Sequence, residues 1–234
     1  MACSFLYFDL GNVLLSFCHD RMCRQLAAVA GLEAAAVRQA ILEADGALAK
    51  QMQFERGEIT AADYYEFFCR QTDTRPNRTA LEQAGSDIFE PIEATLDLVR
   101  ALAEVGHRLG ILSNVGSVHW KYVSSGRFPL IPKAFEILIL SHQVRSVKPE
   151  PDIYRQAISR ARVPAREIFF TDDRAENVAG ALEAGIDAVL FTGAAQLAND
   201  LQSRGVAFPD ARQDDGSELR TARDGPGHCT RKPL

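Results

Sequence analysis

No apolar run in this sequence approaches the ~20 residues needed to cross a bilayer; the longest, "ILIL" at 137–140 and "DAVLF" at 187–191, are strand-sized. Basic residues are not massed anywhere. The 26 Lys and Arg are scattered among 31 Asp and Glu, for a net charge of −5, which argues against nucleic acid and anionic membrane as partners. Five cysteines (Cys3, Cys18, Cys23, Cys69, Cys229) make an odd number without C-x-x-C spacing, so neither a disulfide framework nor a zinc site is expected. A reducing cytoplasm is the simplest location. The strand signal begins at residue 4, which leaves no room for a secretory leader, and none is expected. Neither G-x-G-x-x-G nor G-x-x-x-x-G-K-[ST] follows any strand pattern, so nicotinamide and P-loop nucleotide chemistry are poor readings.

What remains is an ordinary globular composition, 47% apolar and 24% charged, with a clear order of elements. "SFLYFDL" is apolar without alternation, as in a strand covered on both faces. From Asp20 to about Ile88 the period is helical and nothing reads as a strand. In "RGEITAADYYEFF" Gly57 breaks, Thr60 caps and Asp63 follows three residues later; Tyr64, Phe67 and Phe68 then share a face and read as core. From residue 93 strands alternate with helices: "LGILSN", "FEILILS", "EIFFTDD" and "DAVLF" are separated by helical patterns. The expected fold is α/β, a doubly wound, Rossmann-like parallel sheet over residues 1–16 and 89–210, with an all-helical cap inserted over 17–88 and a polar, mobile tail over 211–234.

Ligands of open α/β sheets bind beyond the carboxyl ends of the strands. There the sequence places Asp9, Ser113 with Asn114, Lys148, and Asp172 with Asp173. Three carboxylates in one place repel unless a cation lies between them, and oxygen donors select a hard ion, Mg²⁺. With Ser113 to bond a phosphoryl oxygen and Lys148 to neutralise charge, the site suits phosphate, and Asp9 is placed to attack phosphorus and form an aspartyl-phosphate. Pro149 and Pro151 restrict where Lys148 points. The blander readings are a turn cap for Asp9, self-bonded loop residues for Ser113 and Asn114, and a helix cap for Asp172 or Asp173. His107, His119, His142 and His228 have no ligand spacing and read as surface residues, while Trp120 and Tyr122 line the entrance or pack.

Four ordered motifs, "FDLGNVL" at 8–14, "LSN" at 112–114, "VKPEPDIY" at 147–154 and "FTDDRAENVAGALEAG" at 170–185, resemble those of the haloacid dehalogenase (HAD) superfamily, in the subgroup whose helical cap follows the first strand. The resemblance spans about residues 4–205. It implies Asp9 as nucleophile and Mg²⁺ ligand, Ser113 and Asn114 at the substrate phosphate, Lys148 as the neutralising lysine, and Asp172 and Asp173 at the metal. "FERGEIT" at 54–60 is similar to cap sequences of HAD sugar-phosphate phosphatases. The chain departs from the phosphatase form D-x-D-G-[TV] at Gly11, which retains a metal-binding carbonyl but no acid/base carboxyl, and at Asn12, a residue tolerant of left-handed backbone. A positioned acid/base is worth ~10²- to 10⁴-fold in rate. Its loss is answered by a leaving group that needs little protonation, such as a sugar 1-phosphate, by His19 or Asp20, or by a loss of activity. The expectation is thus an Mg²⁺-dependent hydrolase of a small-molecule phosphate ester. The alternatives are a weakly catalytic HAD-like protein that binds a phospholigand or a protein, and, ranked lower, a 2-haloacid dehalogenase.

Overall fold

Phe5 and Tyr7 face one side of the first strand, β1 (Phe5–Phe8), and Leu6 and Phe8 the other, and all four are buried. The computed structural model describes residues 3–209, so the stretch expected as a tail lies outside the described residues. The elements are β1, β2 (Leu15–Phe17), α1 (His19–Ala30), α2 (Ala34–Arg38), a π-helical turn (Gln39–Glu43), α3 (Ala47–Glu55), α4 (Ala61–Thr72), α5 (Arg78–Ser86), β3 (Phe89–Pro91), α6 (Glu93–Glu104), β4 (Leu109–Ser113), α7 (Ser117–Val123), β5 (Ile137–Leu140), α8 (Ser141–Val144), α9 (Pro151–Ala161), a 3₁₀ turn (Ala165–Glu167), β6 (Ile168–Asp172), α10 (Ala175–Glu183), β7 (Asp187–Leu190) and α11 (Ala194–Ser203).

The main sheet has the order β5-β4-β1-β6-β7, parallel throughout, with Phe8 opposite Ile111 on one side and Thr171 on the other. Helices cover both faces. Leu96, Val99 and Leu102 of α6 and Leu197 and Leu201 of α11 pack on Leu6 and Phe8; Ile153, Tyr154 and Ala157 of α9 and Val178 and Ala181 of α10 pack on Phe5 and Tyr7. Each large side chain so buried contributes roughly 1.5–3 kcal/mol. This is the α/β, doubly wound architecture expected from the pattern, and β1 lies at its centre, where the chain's direction of winding reverses.

Helices α1 to α5 bury a small core of their own, including Leu26, Val37, Ile41, Phe68 and Leu81. Helix α1 begins at Cys18, whose sulfur accepts from the Arg21 amide, and ends at Gly31 in the left-handed region. The capping box read at Thr60 and Asp63 is formed: each side chain accepts from the other's backbone N–H. The pattern did not disclose β2 and β3, which pair antiparallel at the two ends of this helical segment. At three residues each they are too short for periodicity to register. No described helix is long and apolar enough to cross a membrane.

Candidate active site

Asp9 continues the line of β1, and its amide donates to the Thr171 carbonyl at 3.0 Å. One carboxylate oxygen, Oδ1, accepts from the Leu10 amide at 2.7 Å and lies 2.9 Å from Lys148 Nζ. The other oxygen accepts no hydrogen bond from the described chain. Lys148 Nζ also donates to the Leu112 carbonyl at 2.9 Å and to Asp172 Oδ2 at 2.5 Å, so its three N–H groups meet three acceptors. Asp9, Lys148 and Asp172 are 7%, 4% and 0% exposed; the ammonium is therefore held by charge, at a desolvation cost that only this many partners offset. Burial alone pulls the Lys148 pKa down, but Asp172 and Asp9 reverse that and leave it raised. For Asp9 burial dominates and lifts the pKa to about 7, with Lys148 opposing and Asp172 and Asp173 adding to the rise.

Asp9, Asp172 and Asp173 each bring a carboxylate oxygen within 4.8 Å of the others. One lysine does not neutralise three carboxylates, and an all-oxygen donor set of this size fits a hard divalent cation. Asp173 is partly buried, which raises its pKa, and it accepts from Asn12 Nδ2 at 2.9 Å. Asn12 has φ 55°, the left-handed conformation its type tolerates.

Asn177 escaped the sequence reading. Its Nδ2 donates to both oxygens of Asp172, at 2.9 and 3.1 Å, from a buried position in the first turn of α10. The only signal was its place five residues after Asp172, inside a stretch that reads as an amphipathic helix. Asp172 also accepts from the Arg174 amide at the start of α10, so it acts as helix-end acceptor as well as site carboxylate.

Ser113 ends β4 at 2% exposure, and its hydroxyl has no hydrogen-bond partner among the described residues. Asn114 differs from expectation. Its Oδ1 accepts from the Lys148 amide at 2.7 Å and its Nδ2 donates to the Lys148 carbonyl at 2.9 Å. Both polar ends of the amide clamp the main chain of Lys148.

The surroundings of Gly11 explain its lack of a side chain. A Cβ there would lie 2.9 Å from the Phe17 ring. His19 sits edge-on to the same ring, at 5.2 Å between centroids, and Asp20 pairs with Arg38. Three histidines read as surface residues are partly buried: His107 donates to the Ala207 carbonyl at 2.6 Å, His119 to the Gly85 carbonyl at 3.2 Å, and His142 to the Val115 carbonyl at 2.8 Å. Trp120 and Tyr122 pack against the core, and Tyr122 bonds Asp87.

Residues 45–191, more than half of the chain, match the family model for haloacid dehalogenase-like hydrolases. The chain belongs to that family. Among solved structures, a HAD family enzyme from Bacteroides thetaiotaomicron is 25% identical with a TM-score of 0.70, over 82% of this chain and 95% of that one. An L-2-haloacid dehalogenase from Xanthobacter autotrophicus shares the HAD fold at 17% identity and a TM-score of 0.59, over 88% of this chain and 85% of that one. Bifunctional epoxide hydrolase 2 of Rattus norvegicus is 26% identical over 173 residues, 68% of this HAD-like chain and 31% of that protein. The mouse form is 33% identical over 78 residues, 14% of its length. The chain thus spans a third or less of these curated relatives.

Proposed function

We propose that this HAD-like hydrolase removes phosphate from a small organic phosphomonoester through an aspartyl-phosphate on Asp9. The observation that carries the reading is the convergence of three carboxylates, two of them paired with one buried lysine, beside a serine hydroxyl without a described partner, at the carboxyl edge of the sheet. Asp9, Asp172, Asp173 and the Gly11 carbonyl would hold Mg²⁺. Bound there, the ion would neutralise the carboxylates and the phosphoryl oxygens together. The free oxygen of Asp9 attacks phosphorus, the bond to the ester oxygen breaks, and water later attacks the phosphoryl group and releases Asp9. Lys148 balances charge on the phosphoryl oxygens and Ser113 donates to one of them. Helices α1 to α5, as a cap, exclude water and choose the alcohol. A wild-type structure of the Bacteroides enzyme, 24% identical with a TM-score of 0.70, is a complex with magnesium and inorganic phosphate, which supports a fold that takes both.

The dehalogenase neighbours share the fold, and an aspartate there could attack carbon in place of phosphorus. Against that reading, a carbon centre gives Asp172 and Asp173 no task, and two further carboxylates beside the nucleophile repel the carboxylate of a 2-haloacid. The test is phosphate release from about fifty phosphomonoesters, a panel wide enough to expose preferences of ~10²-fold, with Mg²⁺ or EDTA and with Asp9→Asn. Metal-dependent release that falls by at least ~10³-fold in the variant is expected. Folded, Mg²⁺-binding protein that releases nothing from any ester would make the chain a phospholigand binder instead.

A further inference from the structure

Gly11 removes a carboxyl from the first motif, and Phe17 fills the room a side chain would need there. Phe17 is itself wedged against Phe89 and His19, so the proton for an alkoxide leaving group has to come from another direction. His19 is a poor donor, because burial, with Arg38 beside it, lowers its pKa and leaves it neutral near pH 7. Asp20 is paired with Arg38, Glu176 with Arg174, and Glu150 with Arg56, Ser146 and the Val147 amide.

Glu55 makes no ion pair with any described residue, and its carboxyl accepts only from Gln51. We propose that Glu55, at the end of α3, is the catalytic acid that protonates the leaving oxygen and the base that then activates water. The inference rests on the phosphomonoester reading above. The Glu55 carbonyl accepts from the Ser141 hydroxyl at 2.6 Å, and the same hydroxyl accepts from the Val115 amide at 2.9 Å. Glu55 is thereby pinned over the carboxyl ends of β4 and β5, two residues beyond Ser113. Its carboxyl accepts from Gln51 Nε2 at 2.7 Å; Gln51 Oε1 accepts from the Tyr64 hydroxyl at 2.6 Å, and the Tyr64 ring stacks on Phe54 at 4.8 Å. That relay fixes one oxygen and leaves the other without a hydrogen bond from the described chain. Glu55 also feels the charges of Arg174 and Lys148. Burial raises its pKa, and the Gln51 bond and the two cations offset this only in part. A carboxyl so raised keeps a proton closer to neutral pH than a solvated glutamate does.

The protons balance. As the Asp9 oxygen bonds to phosphorus and the ester bond breaks, the electron pair goes to the leaving oxygen, which takes the Glu55 proton and departs as an alcohol. In the second step the Glu55 carboxylate takes a proton from the water that attacks phosphorus, the bond to Asp9 breaks, and phosphate leaves with Glu55 again protonated. Gln51 and Tyr64 are positioning residues.

The experiment compares the full chain with its Glu55→Gln and Gln51→Leu variants, in Mg²⁺, on p-nitrophenyl phosphate and on glycerol phosphate. The nitrophenolate leaves without a proton and the glycerol oxygen does not. Glu55→Gln is expected to lower the rate of the first, ester-cleaving step on glycerol phosphate ~10²- to 10⁴-fold and to spare that step on p-nitrophenyl phosphate. A stoichiometric burst of nitrophenolate persists there, while the steady-state rate falls with the water step that both esters share. The alkaline limb of the kcat profile on glycerol phosphate should vanish with it, and Gln51→Leu should show a smaller loss with the same ester selectivity. Equal loss of the first step on both esters, with no nitrophenolate burst, or loss of neither step, overturns the role of Glu55. A wild type that hydrolyses no ester of the panel, these two included, overturns the phosphatase reading itself, and this proposal with it.

Discussion

Lys148 meets three acceptors with three N–H groups while almost wholly buried, so its removal leaves Asp9 facing Asp172 with nothing between them. Lys148→Met should cost the metal-free protein about 3–5 kcal/mol, the range for breaking a buried pair. Urea unfolding in EDTA measures the loss, and Mg²⁺ at about a hundred times its Kd should return ~2.7 kcal/mol to whichever form binds it. A Lys148→Met protein as stable as the wild type in EDTA would mean the carboxylates do not depend on the ammonium. His119 makes the residue-scale case for pH. Burial lowers its pKa from 6.5 to about 4, the Gly85 carbonyl opposing. The unfolded chain therefore takes up a proton below pH 6.5 that the folded one refuses until about pH 4, and stability falls as pH falls through that window. Full expression of the shift would be about 3 kcal/mol at 1.36 per unit; the ring is partly exposed, so on the order of 1–2 is expected. His119→Gln should flatten thermal melting between those pH values.

Among the elements, the turn that follows α3 packs closely against α8, which follows β5. Gly57 has φ 72°, and a Cβ there would lie 2.3 Å from the His142 carbonyl oxygen, a backbone atom that a rotamer change cannot clear. Left-handed strain of about 1–2 kcal/mol and that clash act together in Gly57→Ala. The expected outcome is a lower melting temperature and reduced turnover of alkyl esters such as glycerol phosphate, since α3 can no longer seat Glu55 over Ser141. Unchanged melting and turnover would show that α3 docks without this close approach. How far the elements were legible follows from length and from caps. The capping residues Thr60 and Asp63 announced α4, and unbroken apolar runs announced β1 and β6. The β2 and β3 ribbon carries no periodicity in three residues, and Phe17, which closes the space beside Gly11, had no pattern to mark it.

For the whole molecule, the sheet edge and its acidic cluster were legible because the chemistry lies on strand ends, and alternation of strand and helix fixes which ends coincide. Asp9, Lys148, Asp172 and Asp173 came together as their positions in the pattern implied. Asn177, the clamp made by Asn114 and the Glu55 relay were not legible, because each depends on which way a helix or loop side chain turns, and spacing along the chain does not encode that. The depth of His119 and His142 was missed for the same reason.

The central place of β1 also governs how the protein is made. Its two neighbours, β4 and β6, lie about a hundred and a hundred and sixty residues further along, so the strand bearing Asp9 has no lateral partner until much of the chain has left the ribosome. Such distant pairing is slow and leaves a hydrophobic strand waiting. Asp9 can meet Lys148 and Asp172 together only once the chain extends past residue 172, when the sheet can close on both sides of it.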